Sequence, residues 1–231
     1  MEKEWQERNQ DLLKIISKQP YEFEFQGVVV RVGKDVFPPD IGFTTQLLAE
    51  VLLQKKASCA LDMGTGTLIL ALLLRKAGIQ HVWAVDNHLP AIECARSNLK
   101  RNPRLQPIQI IRSDLFTAIP AGQLFDLIVF NQPYYPIRGR KIAGLGEDGG
   151  SSIINRFFNG AASRLTQNGE IVMPYSTIAG ASNDPRRIAR SLGWDVSIIK
   201  AAVSDENQHR IYSITPGSQL RRRHIEKTGR S

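Results

Sequence analysis

The chain has 231 residues, of which 42% are hydrophobic and 23% are charged, a composition typical of a globular protein long enough to bury a full core. Its first ten residues, MEKEWQERNQ, lack the apolar segment of a signal peptide. Its longest aliphatic run, from Leu68 to Leu74, is too short to cross a bilayer. Cys59 and Cys94 have neither metal-ligand spacing nor the pattern of a disulfide framework. We therefore expect a cytoplasmic protein without a membrane span or a metal site.

Basic residues are unevenly distributed along the chain. The formal net charge is +8 and the isoelectric point is near 9.7. Half of this net charge lies in segment 217–231, where five basic residues accompany one acidic residue. Such a tail is typical of a solvated end, so we predict that 217–231 is disordered, and RNA binding by this tail stays open as the alternative.

Residues 1–35 are predicted to form an extension that precedes the main domain. The apolar residues of 3–18 have helical spacing, and "YEFEFQGVVVRV" alternates apolar and polar residues on both sides of Gln26-Gly27. These patterns predict a short helix followed by a β-hairpin. The next segment, "DVFPPDIGFTTQLLAEVLL", contains prolines and then leucines on one helical face, which predicts a further helix.

From residue 58 onward, apolar strands alternate with amphipathic helices. The predicted strands lie near 58–63, 81–86, 108–112, 125–131, 170–175, 195–203 and 209–214. The predicted helices lie near 66–77, 89–101, 150–166 and 184–192. This alternation predicts an α/β, Rossmann-like fold with a mostly parallel sheet of seven strands in one domain, 36–216. Only "SDENQ" separates the last two strands, so they are expected to form an antiparallel hairpin.

The first motif, "CALDMGTGTLILALLL", joins an acidic residue to a glycine turn. Asp62 ends the first strand of the domain, and Gly64-Thr65-Gly66 is predicted to turn the chain directly into a helix. Glycines let a ligand approach the backbone, and a helix N-terminus presents free N–H groups. The dinucleotide fingerprint requires a third glycine where Ile69 stands, which argues against a pyrophosphate-binding dehydrogenase. The carboxylate of Asp62 suits a cationic amino group instead.

The next two strands also end in acidic residues. Asp86 is placed to bind the two ribose hydroxyls of a nucleoside, or else to cap the helix that begins near Leu89. Asn87 is a further candidate for the cap and for the binding site. At the end of the third strand, Asp114 can accept the amino group of adenine while the backbone N–H of Leu115 reaches a ring nitrogen. Three acidic strand ends at the edge where open sheets bind ligands predict a nucleoside site.

The fourth strand ends in an unusual motif. In "FDLIVFNQPYYP" an apolar run stops at Asn131-Gln132-Pro133-Tyr134. Buried strands seldom deliver an amide, a proline and two tyrosines to this edge unless a ligand is held there. The motif therefore predicts a binding or catalytic role for these four residues.

These motifs resemble, in order and spacing, those of class I S-adenosylmethionine-dependent methyltransferases. The segments concerned are "LDMGTGT", "AVDNHLPAIECARSN", "RSDLF" and "FDLIVFNQPYYP", and the resemblance covers roughly residues 36–215. It is strongest to the HemK-type protein-glutamine methyltransferases and to their methyltransferase small domain relatives that act on RNA bases. The resemblance implies S-adenosylmethionine as the cofactor, with Thr44 and Asn131 near it.

The resemblance also implies a role for the fourth-strand motif, in which Gln132 stands where the family has a second proline. An amide or exocyclic amino nitrogen is a poor nucleophile, and two acceptors aimed at its hydrogens stabilise the charge that develops on it. The side-chain oxygen of Asn131 and the backbone carbonyl of Gln132 are the expected acceptors. Pro133 fixes the turn, and Tyr134 stacks on the planar substrate group.

The sequence is compatible with several methyl acceptors and partners. The resemblance implies a protein glutamine, in a translation factor or a ribosomal protein, as the methyl acceptor; an RNA base amino group and a small molecule are the alternatives. It also implies a small activator protein as a possible partner. A different class of function, a non-catalytic subunit that only binds the cofactor, is the remaining alternative. The oligomeric state does not follow from the sequence.

Overall fold

The structure, a computed structural model, describes residues 14–132 and 151–221. Its strands are β1 (Tyr21–Phe25), β2 (Val28–Val32), β3 (Cys59–Met63), β4 (His81–Asp86), β5 (Gln109–Arg112), β6 (Phe125–Phe130), β7 (Leu165–Ser176), β8 (Trp194–Ser204) and β9 (Asn207–Pro216). Its main helices are α1 (Phe43–Leu52), α2 (Ile69–Lys76), α3 (Leu89–Arg101), α4 (Ser151–Ala161) and α5 (Pro185–Ser191). Of the predicted N-terminal helix, residues 14–17 are described and helical.

The strands from β3 onward form one seven-stranded sheet. Its order is β5-β4-β3-β6-β7-β9-β8, and its first five strands are parallel. Strand β9 runs antiparallel to both of its neighbours, β7 and β8. The predicted Rossmann-like sheet with an antiparallel C-terminal hairpin is therefore confirmed. Since β3 lies between β4 and β6, the chain reverses its direction of travel across the sheet there, and ligands bind at such a reversal.

Two apolar layers hold the helices against the sheet. One face packs residues of α1, α2 and the hairpin strand β2 against the sheet. The opposite face packs α4 and α5, and there the ring of Phe157 contacts the rings of Phe116, Phe130 and Phe158. Both layers are made from alternate residues of the same strands, as a sheet covered on both faces requires.

The predicted N-terminal hairpin is present as a separate two-stranded sheet. Strands β1 and β2 pair antiparallel across the turn at Gln26-Gly27. The apolar residues Val28 and Val30 are fully buried in the layer that contains α1 and α2. After β2 the chain passes through 33–42 and enters α1, so the extension is joined both by sequence and by packing to the main domain.

The structure corrects three predicted element boundaries, namely the starts of α2 and β7 and the end of α4. Helix α2 begins at Ile69 rather than at Gly66, because Leu68 adopts a left-handed conformation with φ 72° and interrupts the helical backbone. The helix predicted over 150–166 ends at Ala161, and β7 already begins at Leu165. Strand β7 then shifts its register against β6, and Gly169 lies at this irregularity, where a Cβ would stand 2.8 Å from the carbonyl oxygen of Phe125.

The described residues bear on two expectations, that the chain has no membrane span and no metal site. Across 14–132 and 151–221, no helix has the length and apolar character that crossing a membrane requires. In the same residues, no group of three or more His, Cys, Asp or Glu side chains is arranged to hold a metal ion.

Candidate active site

A cavity lies at the C-terminal edge of the parallel sheet. The ends of β3, β4, β5 and β6 contribute its floor, and residues from 36–45 and the start of α4 contribute its walls. It brings together most of the described candidate residues: Thr44, Gly64, Thr65, Gly66, Asp86, Asn87, Asp114, Leu115, Asn131 and Gln132. The predicted meeting of these residues at one edge therefore agrees with the structure, while their roles stay predictions.

The glycine loop after β3 is held by bonds within the protein. The N–H groups of Gly64 and Thr65 both donate to the carbonyl oxygen of Val85, at 2.8 and 2.9 Å. The N–H of Gly66 donates to Oδ2 of Asp86 at 3.0 Å. The N–H groups of these three residues are therefore all bonded within the protein. What the loop offers instead is space, because a Cβ built on Gly66 meets no atom within 4 Å.

Asp62 lies behind this loop and does not line the cavity. Its side chain is fully buried, and Oδ2 accepts hydrogen bonds from the Thr65 hydroxyl at 2.6 Å and from the N–H of Ala71 at 3.2 Å. Its Oδ1 has no hydrogen-bond partner in the part of the chain that the structure describes. Burial raises the pKa of Asp62 to about 7, against the effect of those two hydrogen bonds. In this position the carboxylate orders the loop and the start of α2.

Asp86 faces the cavity from the end of β4. Its Oδ1 accepts from the N–H of His88 at 2.9 Å, and its Oδ2 accepts from the glycine loop. Burial raises the pKa of Asp86, and the N–H donors oppose this rise. Each carboxylate oxygen has a second lone pair for another donor, such as a ligand hydroxyl. The alternative role of Asp86 or Asn87 as helix cap is wrong, since the N-cap of α3 is His88, without a side-chain cap.

Asp114 lies at the end of β5 with an unpredicted partner. Its Oδ2 accepts from the guanidinium of Arg156 on α4 at 2.5 Å, and both side chains are about half exposed. Asp114 and Leu115 both line the cavity. A pair this exposed contributes at most about 1 kcal/mol to stability. Because a carboxylate has several lone pairs, Asp114 can also accept a hydrogen bond from a donor in the cavity.

The end of β6 brings an amide into the same cavity. Asn131 and Gln132 line it directly after Phe130, the last residue of the strand. The side chain of Gln132 is only 2% exposed, and its Nε2 donates to the carbonyl oxygen of Pro174 on β7 at 3.1 Å. The paired register of these strands ends earlier, at Val129 and Val172. The glutamine side chain therefore binds the backbone of β7 instead of entering the cavity as a free group.

Two predicted residues lie outside the described part of the chain. These are Pro133 and Tyr134, so the roles assigned to them stay predictions. Of the predicted basic tail, 217–231, residues 222–231 also lie outside it, whereas 218–221 are helical, contrary to the predicted disorder.

Sequence reasoning missed one wall of the cavity and the partner of Asp114. Val36, Phe37 and Pro39 line the cavity beside the predicted Thr44. Their only sequence signal is the proline-containing segment that precedes α1. Arg156 has no such signal, because it lies 42 residues after Asp114 and meets it only through the packing of α4 on the sheet.

Comparison of the sequence with known families and proteins gives one family match and several distant relatives. The methyltransferase small domain family matches residues 33–184. A release factor glutamine methyltransferase of Rhodopirellula baltica is 29% identical over 183 residues, covering 69% of this chain and 60% of that protein. A putative protein N5-glutamine methyltransferase of Methanocaldococcus jannaschii is 27% identical over 182 residues, covering 76% of this chain and 89% of that protein.

Two solved structures share the fold. The 16S rRNA N2 methyltransferase RsmC of T. thermophilus, in complex with AdoMet and guanosine, superposes with a TM-score of 0.63 at 20% identity, covering 86% of this chain and 50% of that one. The E. cuniculi Mtq2–Trm112 complex, which methylates the eRF1 translation termination factor, gives a TM-score of 0.57 at 22% identity, covering 79% of this chain and 99% of that one. At these identities the likeness extends to the fold alone.

Proposed function

Since the chain belongs to the methyltransferase small domain family, as its motifs predicted, we propose that it transfers a methyl group from S-adenosylmethionine to a planar amide nitrogen of a protein glutamine. The domain is an S-adenosylmethionine-dependent methyltransferase domain. The acceptor is the proposed part, and it rests on two relatives whose names specify glutamine. The observation that most directly supports methyl transfer to nitrogen is that Asp86, Asp114 and Asn131 line one cavity.

The cavity residues fit the cofactor. The open space in front of Gly66, which a Cβ would occupy, leaves room for a ligand against the loop. Asp86 and Asp114 are acceptors at adjacent strand ends and suit the hydroxyl and amino donors of a nucleoside. Bound S-adenosylmethionine supplies a methyl group that its sulfonium already activates.

The chain's own contribution to the reaction is to hold the acceptor nitrogen. Asn131 offers its side-chain oxygen and Gln132 its backbone carbonyl, two acceptors for the two hydrogens of a primary amide. As the nitrogen becomes tetrahedral and positive, bonds to both acceptors strengthen, which lowers the barrier. The methyl group would come from the broken S–CH3 bond, which leaves S-adenosylhomocysteine, and the nitrogen would return to the neutral amide by losing one N–H proton to water. The bond from Gln132 Nε2 to the Pro174 carbonyl oxygen holds Gln132 against β7.

Replacement of Asn131 tests the proposal. The Asn131→Ala variant should retain cofactor affinity and lose transfer by about two to three orders of magnitude, the cost of removing one charge-stabilising hydrogen bond. Transfer is measured with methyl-labelled S-adenosylmethionine and protein, RNA and small-molecule fractions. Label in the RNA fraction alone would replace glutamine by a base amino group as the acceptor. Label in no fraction, with the cofactor bound, would favour a non-catalytic subunit.

A small activator protein is the partner that we propose to test beside the acceptor. The E. cuniculi relative in fold is a complex with Trm112. If this chain needs such a partner, addition of the host's equivalent protein should raise transfer to the protein fraction. Equal transfer with and without it would remove the activator from the proposal.

A further inference from the structure

Two asparagines, Asn98 on α3 and Asn102 at its C-cap, pair with the backbone of the N-terminal hairpin. Asn98 and Asn102 lie one helical turn apart on the buried face of this helix. Asn98 accepts from the N–H of Arg31 and donates to its carbonyl oxygen, both at 2.8 Å. Asn102 does the same for Val29, at 3.0 and 2.8 Å. The two amide side chains thus bind the groups of β2 that a further strand would otherwise pair.

Asn98 makes one contact that Asn102 does not. Its Nδ2 also donates to the carbonyl oxygen of Thr67 at 2.8 Å. Thr67 belongs to the glycine loop and lines the cavity. The other bonds of Asn102 end within α3, where its Nδ2 donates to the carbonyl oxygen of Asn98 at 2.8 Å. One fully buried side chain therefore joins the hairpin to the glycine loop.

Of the two segments that Asn98 joins, the glycine loop lines the cavity, and the hairpin leads into a segment that lines it. The loop has left-handed residues at Gly64, Gly66 and Leu68, so no regular secondary structure fixes its path. β2 ends at Val32, and a few residues later Val36, Phe37, Pro39 and Gly42 also line the cavity. A ligand that contacts both walls binds more tightly when their spacing is fixed beforehand, since less ordering of the protein is then required on binding.

We propose that Asn98 is a positioning residue for cofactor binding, which couples the hairpin to the glycine loop and sets the spacing of the two cavity walls. The proposal rests on the cofactor-binding part of the function above and is independent of the acceptor. The proposal assigns the hairpin a role in the site. It also assigns different roles to Asn98 and Asn102, because Asn102 binds the same hairpin without contacting the loop.

The test compares Asn98→Ala with Asn102→Ala in the full chain. Each substitution removes three side-chain hydrogen bonds to backbone groups, so the two are matched in bonds to the backbone, and Asn98→Ala also removes a 3.6 Å contact with Cys94 Sγ. The Kd for S-adenosylmethionine is measured by titration. It should be about tenfold higher in Asn98→Ala than in the unchanged protein, which is within the usual range of coupling between sites. Asn102→Ala should change it less than threefold. The kcat at saturating cofactor should stay within threefold of the unchanged protein in both variants.

Two results would overturn the proposal: equal rises in Kd for both variants, or an unchanged Kd in folded Asn98→Ala. Failure of the unchanged protein to bind the cofactor would overturn it together with the proposed function. Loss of methyl transfer alone would affect only the proposed function, because titration needs no acceptor.

If Asn98→Ala does not fold, hydrogen exchange in the unchanged protein gives the same answer. Coupling is reciprocal, so a bound cofactor should strengthen the bonds of Asn98. Adding S-adenosylhomocysteine should then slow exchange of the Arg31 amide by fivefold or more and that of the Val29 amide by less. Equal protection of both amides, or none, would contradict the coupling.

Discussion

The buried carboxyl group of Asp62 should make the stability of this fold depend on pH. Asp62 is fully buried, and burial raises its pKa from 3.8 to about 7. The folded protein therefore binds this proton more tightly than the unfolded chain does. Its contribution to stability is fully present below about pH 4 and is lost as the pH rises through about 7.

The size of this effect follows from the difference between the two pKa values. One pKa unit corresponds to about 1.4 kcal/mol, so a shift from 3.8 to about 7 corresponds to about 4 kcal/mol. This is a large part of the stability of an ordinary domain, about 5–15 kcal/mol. The free energy of unfolding should fall by roughly that amount between pH 4 and pH 8 on account of this residue.

The matched variant is Asp62→Asn, which has no charge at any pH. Its amide oxygen can still accept from the Thr65 hydroxyl and from the N–H of Ala71, as Oδ2 does now. Urea unfolding of both proteins across pH 4–8 gives the stability difference at each pH, and effects of other groups cancel. The unchanged protein should lose stability relative to Asp62→Asn as the pH rises. A difference independent of pH would refute the assignment of a raised pKa.

Three further changes test other parts of the site. Asp86→Ala should weaken cofactor binding by about 1.5–3 kcal/mol, the scale of a hydrogen bond to a charged group, as measured by calorimetric titration; unchanged affinity would remove Asp86 from the site. Gln132→Leu removes the bond to Pro174 and should lower kcat about two- to tenfold at unchanged cofactor affinity, in steady-state assays; a raised Kd would instead place the effect on the cofactor. Deletion of 222–231 should leave transfer to a protein acceptor unchanged, and reduced transfer would make the basic tail part of substrate binding.

The sequence predicts the centre of the sheet well because β3, β4 and β6 are short apolar runs between turn residues. Strands β4 and β6 lie within one residue of their predicted limits, and the acidic ends of β4 and β5 meet at one edge as parallel strands require. The start of α2 could not be predicted, because the left-handed Leu68 is a non-glycine residue in a conformation that leucine rarely adopts.

Other features depend on contacts between segments far apart in the chain. The side chain of Gln132 turns to β7 because the Pro174 carbonyl lies there, 42 residues later. Likewise, the sequence shows Asn98 only as one polar residue of a predicted helix. Its three backbone partners come from β2 and the glycine loop. Helical spacing predicts that such a residue lies on a face of α3, but tertiary packing decides which backbone groups it meets.

The most direct test of the proposed reaction is transfer of labelled methyl from S-adenosylmethionine to a fractionated cell extract, with Asn131→Ala beside the unchanged protein. The proposal predicts label in the protein fraction, recovered after digestion as N-methylglutamine, and a loss of about a hundredfold or more in the variant. Label that is equal in both proteins, or that appears only in RNA or small molecules, would contradict glutamine methylation at Asn131.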